Sequence, residues 1–146
     1  MIIRRASMDD VETMTSLLCE LFALEDDFTI DVAAHRGGLE LLLDTAETTV
    51  LVAEVDDAIV AMATMQPLIS TAVGGKVGLI EDVIVTGSCR GRGIGRALIE
   101  ELIAESECRG YRRIALAADR RNSRAISFYR HYGFVPGNMG MLYRLP

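Results

Sequence analysis

Apolar positions along the chain follow two rhythms. Val11, Met14, Leu17, Leu18 and Leu21 recur at the spacing of one helix face. Asp9 or Asp10 stands where a cap is needed, and "EDDFTID" breaks the run after about Leu24. A second helical pattern covers about Val32 to Leu43. Elsewhere the rhythm tightens to strands: "IIRRA" at the start, then "TTVLVAEV", the turn "DD", and "AIVAMATMQPLI" as the returning strand of a hairpin ending near Pro67. "VGLIEDVIV" is apolar nearly throughout, which predicts a central strand covered on both faces. Gly93 to about Arg109 reads as a helix, with Ile94, Ala97, Leu98, Leu102 and Ile103 on one side and Gly110 as its stop. "RRIALAA" is another strand, Asn122 to about Tyr132 a short helix stopped by Gly133, and "FVPG" and "MGMLYRL" read as closing strands. The expected fold is therefore α/β in the α+β sense: a mixed, largely antiparallel sheet of about seven strands with about four helices on its faces.

Length and composition narrow the class. At 146 residues with half of them hydrophobic, the chain is expected to form one domain, residues 1–146, with a real core. No apolar run approaches the roughly 18 residues of a bilayer span, and the first ten residues carry no signal-like apolar stretch. Three cysteines without metal-like spacing predict reduced thiols, a cytoplasmic location and no metal. The net charge of −6 argues against nucleic acid as a partner. That average hides a split: residues 1–89 hold 4 basic and 16 acidic residues (−12), and residues 90–146 hold 11 and 5 (+6). One half suits an anion and the other a cation.

The basic half begins with "CRGRGIGRAL", at a strand-to-helix junction. Gly91, Gly93 and Gly95 let the backbone turn and let a ligand approach it, and Arg90, Arg92 and Arg96 add charge. Unpaired N–H groups at a helix start favour a compact polyanion such as a diphosphate. A Walker A loop is excluded because no lysine follows. A dinucleotide loop is disfavoured because arginine stands where its third glycine belongs. The spacing Arg90-x-x-Gly93-x-Gly95 resembles the coenzyme A loop of the GNAT superfamily of N-acetyltransferases. Downstream, Asn122-x-x-Ala125-x-x-Phe128-Tyr129-x-x-x-Gly133-Phe134 resembles that family's second signature, at its usual separation from the first.

The resemblance implies a GNAT-like fold and acetyl-CoA as cosubstrate. It implies that Arg90, Gly91, Arg92, Gly93, Ile94, Gly95 and Arg96 hold the diphosphate, mainly through backbone N–H groups. Val83, Ile84 and Val85 would form the acetyl-binding strand, and Asn122 would reach the pantetheine arm or else cap its own helix. Tyr129 would be the general acid for the departing thiolate, since a phenol holds its proton at neutral pH. Glu81 and Asp82 are the candidates for a base or amine anchor. Strand alternation puts at most one of them in a given cleft, and Glu81 shares parity with Val83 and Val85. "IEDV" also resembles a segment of glucosamine-phosphate acetyltransferases of the superfamily. The implied reaction is direct acetyl transfer to a primary amine in a ternary complex. A non-catalytic acetyl-CoA sensor is the alternative. The acidic "LEDDFTID" favours a cationic acceptor, and because dimers are common in the superfamily a homodimer fits as well.

Overall fold

A computed structural model describes all residues 1–146. Its five strands are β1 (Ile2–Arg5), β2 (Thr49–Val55), β3 (Ala58–Ser70), β4 (Gly75–Val85) and β5 (Ile114–Leu116). The helices are α1 (Val11–Ala23), α2 (Val32–Asp44), α3 (Ile94–Cys108) and α4 (Ser123–His131). The strands lie in chain order in one sheet. All neighbours are antiparallel except β4 and β5, which run parallel. The sheet is thus mixed and mainly antiparallel, as the residue pattern predicts.

Two apolar layers cover it. Val11, Met14, Leu17 and Leu18 of α1 and Leu39 of α2 pack on Val50, Val52, Met62 and Ile84. On the opposite face, Ile94, Leu98, Ile99 and Leu102 of α3 pack on Leu51, Ala53, Ala61, Ala63, Met65 and Ile80. The period of two along each strand sends alternate side chains to the two layers. Strand β4 serves both, which explains its near-continuous apolar sequence. Phe128 and Tyr129 of α4, with Tyr132 just after it, close the edge of the second layer.

Four details depart from the sequence expectations. The sheet has five strands, not about seven: residues 134–146 form none, and beyond Phe134 no backbone hydrogen bond is made. Val135, Met139, Leu142 and Leu145 of that segment are each more than four-fifths exposed, so no apolar layer holds it in register. "RRIALAA" yields only the three residues of β5. Strand β3 does not stop near Pro67 but runs to Ser70. Pro67 faces Gly78, whose N–H turns the other way to Arg113 C=O (2.9 Å), so the β3–β4 ladder asks for no N–H from Pro67. On its other side β2 has already ended, at Thr49 opposite Met65. Finally, Asp10 does not cap α1 by its side chain. Its carboxylate accepts from the Ser7 N–H (2.7 Å) and from Arg4 Nη1 (2.8 Å), closing the short 3-10 turn before the helix.

Candidate active site

Strands β4 and β5 pair only from Gly78 to Ile80, against Ile114 to Leu116. Past Ile80 they part, while β4 continues along β3 to Val85. The N–H of Thr86 donates to Val60 C=O (2.8 Å), towards β3. By the alternation of an antiparallel ladder, Ile84 also points its main chain at β3, and Val83 and Val85 point theirs into the gap left by β5. The Val85 carbonyl there accepts Arg90 Nε (2.9 Å).

The loop after β4 turns through Gly91 (φ 73°) and Gly93 (φ 81°), angles that side-chain-bearing residues rarely adopt. Gly93 caps α3 in this left-handed conformation. From Gly91 through Arg96 no backbone N–H donates to an acceptor within the chain. A row of main-chain donors therefore faces out at a helix start, which is the arrangement an oxyanion cluster needs. Gly95 packs beside the Val85 side chain, with a Cβ position 3.6 Å from Cγ2.

The three arginines play unequal parts. Arg90 is turned back: besides Val85 C=O, it reaches Glu20 of α1 (3.4 Å). Glu20 also accepts from the Thr86 hydroxyl (2.9 Å) and the Gly87 N–H (2.7 Å). Glu20 and Arg90 together brace the loop, and the sequence pattern gave no hint of Glu20. Arg96 pairs with Glu100 one turn on (2.9 Å), while the Arg92 guanidinium has only the Cys89 sulfur at 3.9 Å. Both side chains are exposed at the loop. Asn122 Oδ1 accepts the Ala125 N–H (3.0 Å), so that oxygen caps α4.

The expected parity of Glu81 and Asp82 fails at a β-bulge. Ala63 faces Val83 and Met65 faces Ile80, so Thr64 alone opposes both Glu81 and Asp82. The extra residue turns both carboxylates to the rim of one cleft between α1, α2, β3 and β4. The fully buried Thr64 fixes the bulge. Its Oγ1 accepts the Asp82 N–H (3.1 Å) and donates to Asp82 Oδ2 (3.2 Å). Asp82 is half-buried and Glu81 exposed. Loss of hydration, then the Glu81 charge, raises the Asp82 pKa from 3.8 to about 6 against the opposing hydrogen bond from Thr64.

Two further groups are coupled to this region by charge. Burial, followed by the charges of Asp82, Asp27 and Asp119, holds Glu25 above the usual carboxylate range. Burial, followed by Glu25, holds the Tyr129 phenol above its ordinary value, so it keeps its proton at neutral pH. Glu25 thus lies within electrostatic reach of both Asp82 and Tyr129. The Tyr129 ring is set by edge contacts with Phe128 (5.2 Å between centroids) and Phe134 (5.8 Å). His131 is exposed on the same helix.

The profile of the acetyltransferase (GNAT) family matches residues 12–134. The chain belongs to this family. Among curated relatives, the GNAT chain is 42% identical over 57 residues to serotonin N-acetyltransferase 2, chloroplastic, of Oryza sativa subsp. japonica, covering 39% of this chain and 27% of that one. It is 33% identical over 67 residues to glucosamine 6-phosphate N-acetyltransferase 1 of the same organism, covering 46% and 39%. The matched segments thus span well under half of either relative. Among solved structures, a transcriptional regulator from Bacillus halodurans superposes with a TM-score of 0.84 at 23% identity, over 99% of both chains. That likeness is one of fold. No helix of the GNAT chain is long and apolar enough to cross a membrane.

Proposed function

We propose that the chain transfers the acetyl group of acetyl-CoA directly to a primary amine. The observation that carries this reading is the junction of two features at one strand: the unpaired N–H row from Gly91 to Arg96, and the gap beside Val83 and Val85. The row and the exposed Arg92 and Arg96 fit a diphosphate. The main-chain groups of Val83 and the N–H of Val85, whose carbonyl already accepts Arg90 Nε, fit an extended amide-bearing arm that adds to β4 as a partial strand. When bound, acetyl-CoA would supply an acetyl thioester whose carbon accepts the nitrogen and whose C–S bond breaks.

The chain's own residues handle the protons. An amine of lysine-like pKa is protonated at pH 7, and releasing that proton costs roughly 4–5 kcal/mol. Asp82 is the better base of the two carboxylates. It is charged at pH 7.5, yet its environment makes it more basic than an ordinary aspartate. Glu81 at the same rim serves as an anchor for the ammonium, a revision of the parity-based preference for Glu81 as base. Tyr129 holds its proton until a thiolate departs and then donates it. The nitrogen gives up two protons, one as the ammonium and one from the tetrahedral adduct, and Asp82 passes both to solvent; the phenol takes one back after protonating the thiolate, so one proton per turnover is released overall.

Titrating the full chain with acetyl-CoA by calorimetry, alongside thiol release in the presence of amines, tests the reading. Tyr129→Phe should lower kcat by about 100-fold and leave KM for acetyl-CoA within about 2-fold. Unchanged kcat removes Tyr129 as the acid. Acetyl-CoA binding without acetylation of any amine points to a sensor instead.

A further inference from the structure

The cleft under Glu81 and Asp82 has a volume of about 490 Å³, within the range of small-molecule sites. Leu18, Phe22, Leu39, Leu41 and Leu42 form its apolar side, His35, Thr45 and Gln66 add neutral polar groups, and its carboxylates are Glu81 and Asp82 at the β4 end. No arginine or lysine lines it. Phe22 stands in an aromatic row, 4.7 Å from the His35 ring and 5.4 Å from Phe28. The acidic loop nearby offers less to a polycation than its composition suggests. Asp26 and Asp119 are paired with Arg121, and Asp31 is occupied in capping α2 through the Ala34 N–H (3.0 Å). Glu25 and Asp27 of that loop form no ion pair, and Glu25 lies within electrostatic reach of Asp82. A second ammonium group carried down the cleft, away from Glu81 and Asp82, would meet leucine and phenylalanine side chains and a few neutral polar groups but no further carboxylate of the lining.

We infer that the acceptor is a primary monoamine on an apolar body, of alkyl or arylalkyl type, rather than a polyamine, aminoglycoside or basic peptide. The inference rests on the acetyl-transfer reading above and narrows it. The ammonium end lies at Glu81 and Asp82, one residue before the strand segment that opens into the gap. The hydrocarbon body lies along Leu18, Phe22, Leu39 and Leu42.

Gly38 of α2 supplies a test that does not weaken the fold. It lines the cleft, and a Cβ built on it meets nothing within 4 Å. A Cβ is therefore accommodated at this position, and Gly38→Leu extends a larger side chain into the cleft while replacing a helix-interior glycine by a better helix former. The full chain is assayed for thiol release from acetyl-CoA with ethylamine, hexylamine, 2-phenylethylamine, spermidine and kanamycin, and direct binding of 2-phenylethylamine is measured by calorimetry. The expected kcat/KM for hexylamine and 2-phenylethylamine is at least ~10-fold that for ethylamine, with spermidine and kanamycin no better than ethylamine. Gly38→Leu should cut the phenylethylamine-to-ethylamine ratio by about 10-fold and weaken phenylethylamine binding, with Tm equal to or above that of the parent. Preference for spermidine or kanamycin overturns the inference, as does a ratio that Gly38→Leu leaves unmoved. Acetylation of ethylamine with no gain from the apolar body overturns this inference and leaves acetyl transfer standing. Absence of both acetyl-CoA binding and thiol release overturns the two together.

Discussion

The loop after β4 and the cleft before it lie a few residues apart, yet they are built on different principles. From Gly91 to Arg96 the chemistry belongs to the main chain: two positive-φ glycines turn a row of N–H groups outward at the start of α3. At Glu81 and Asp82 the chemistry belongs to side chains, and a bulge held by Thr64 decides where they point. A main-chain site tolerates many side chains and few backbone changes. A side-chain site has the opposite sensitivities.

The sharpest break of that contrast is at Gly93. Gly93→Val forces a branched side chain onto φ 81° and should weaken acetyl-CoA binding by about 100-fold or more by calorimetry, with the far-ultraviolet spectrum preserved. If affinity holds, the donor row does not depend on that turn.

Next comes Asp82→Asn. It should lower kcat at pH 7.5 by about 100-fold and abolish an ascending limb of kcat/KM centred near pH 6. Glu81→Gln should stay within about 3-fold and keep the limb. Stability moves the other way. The folded-state pKa of Asp82 is raised, so between about pH 4 and pH 6 the native chain takes up a proton that the unfolded chain does not. The group therefore favours the fold more as pH falls through 6 and penalises it above. Asp82→Asn should match or exceed the parent in Tm at pH 7.5 and lose that advantage at pH 4.5, by thermal melts at both values.

A smaller effect separates charge from backbone in the loop. Arg92→Ala with Arg96→Ala should raise KM for acetyl-CoA by about 10-fold at low salt, with the gap narrowing at high salt because both guanidinium groups are exposed. The smallest effect concerns the brace. Glu20→Ala removes the acceptor of Thr86, Gly87 and Arg90, and should raise KM for acetyl-CoA about 3-fold with kcat held. A drop in kcat with unchanged KM would mean that Glu20 acts on β4 rather than on the loop.

How much of this was legible beforehand differs by region for a physical reason. Glycine spacing after an apolar strand encodes local backbone geometry, so the loop and the start of α3 follow from short stretches of sequence, while Asn122 stood open between a ligand contact and the cap that the structure shows. The two apolar layers follow equally well, because periods of 3.6 and 2 record which side of an element is covered. The bulge leaves no such mark. "MATMQ" and "LIEDV" each read as unbroken strands, and only their pairing across β3 and β4 places Thr64 opposite two residues at once. Nor does spacing disclose Glu20, whose partners are 66 and more residues away.

The sequence by itself determined the family, the order of elements as far as α4 and the glycine turn that leaves the N–H row at Gly91–Arg96 unpaired, since each depends on residues near one another in the chain. The tertiary structure alone decided that Asp82 is the half-buried carboxylate and Glu81 the exposed one, that Arg90 braces the loop with Glu20, and that residues 134–146 add no strand. These are outcomes of pairing between distant segments, where one extra residue in a ladder reverses the direction of a side chain and no local preference opposes it.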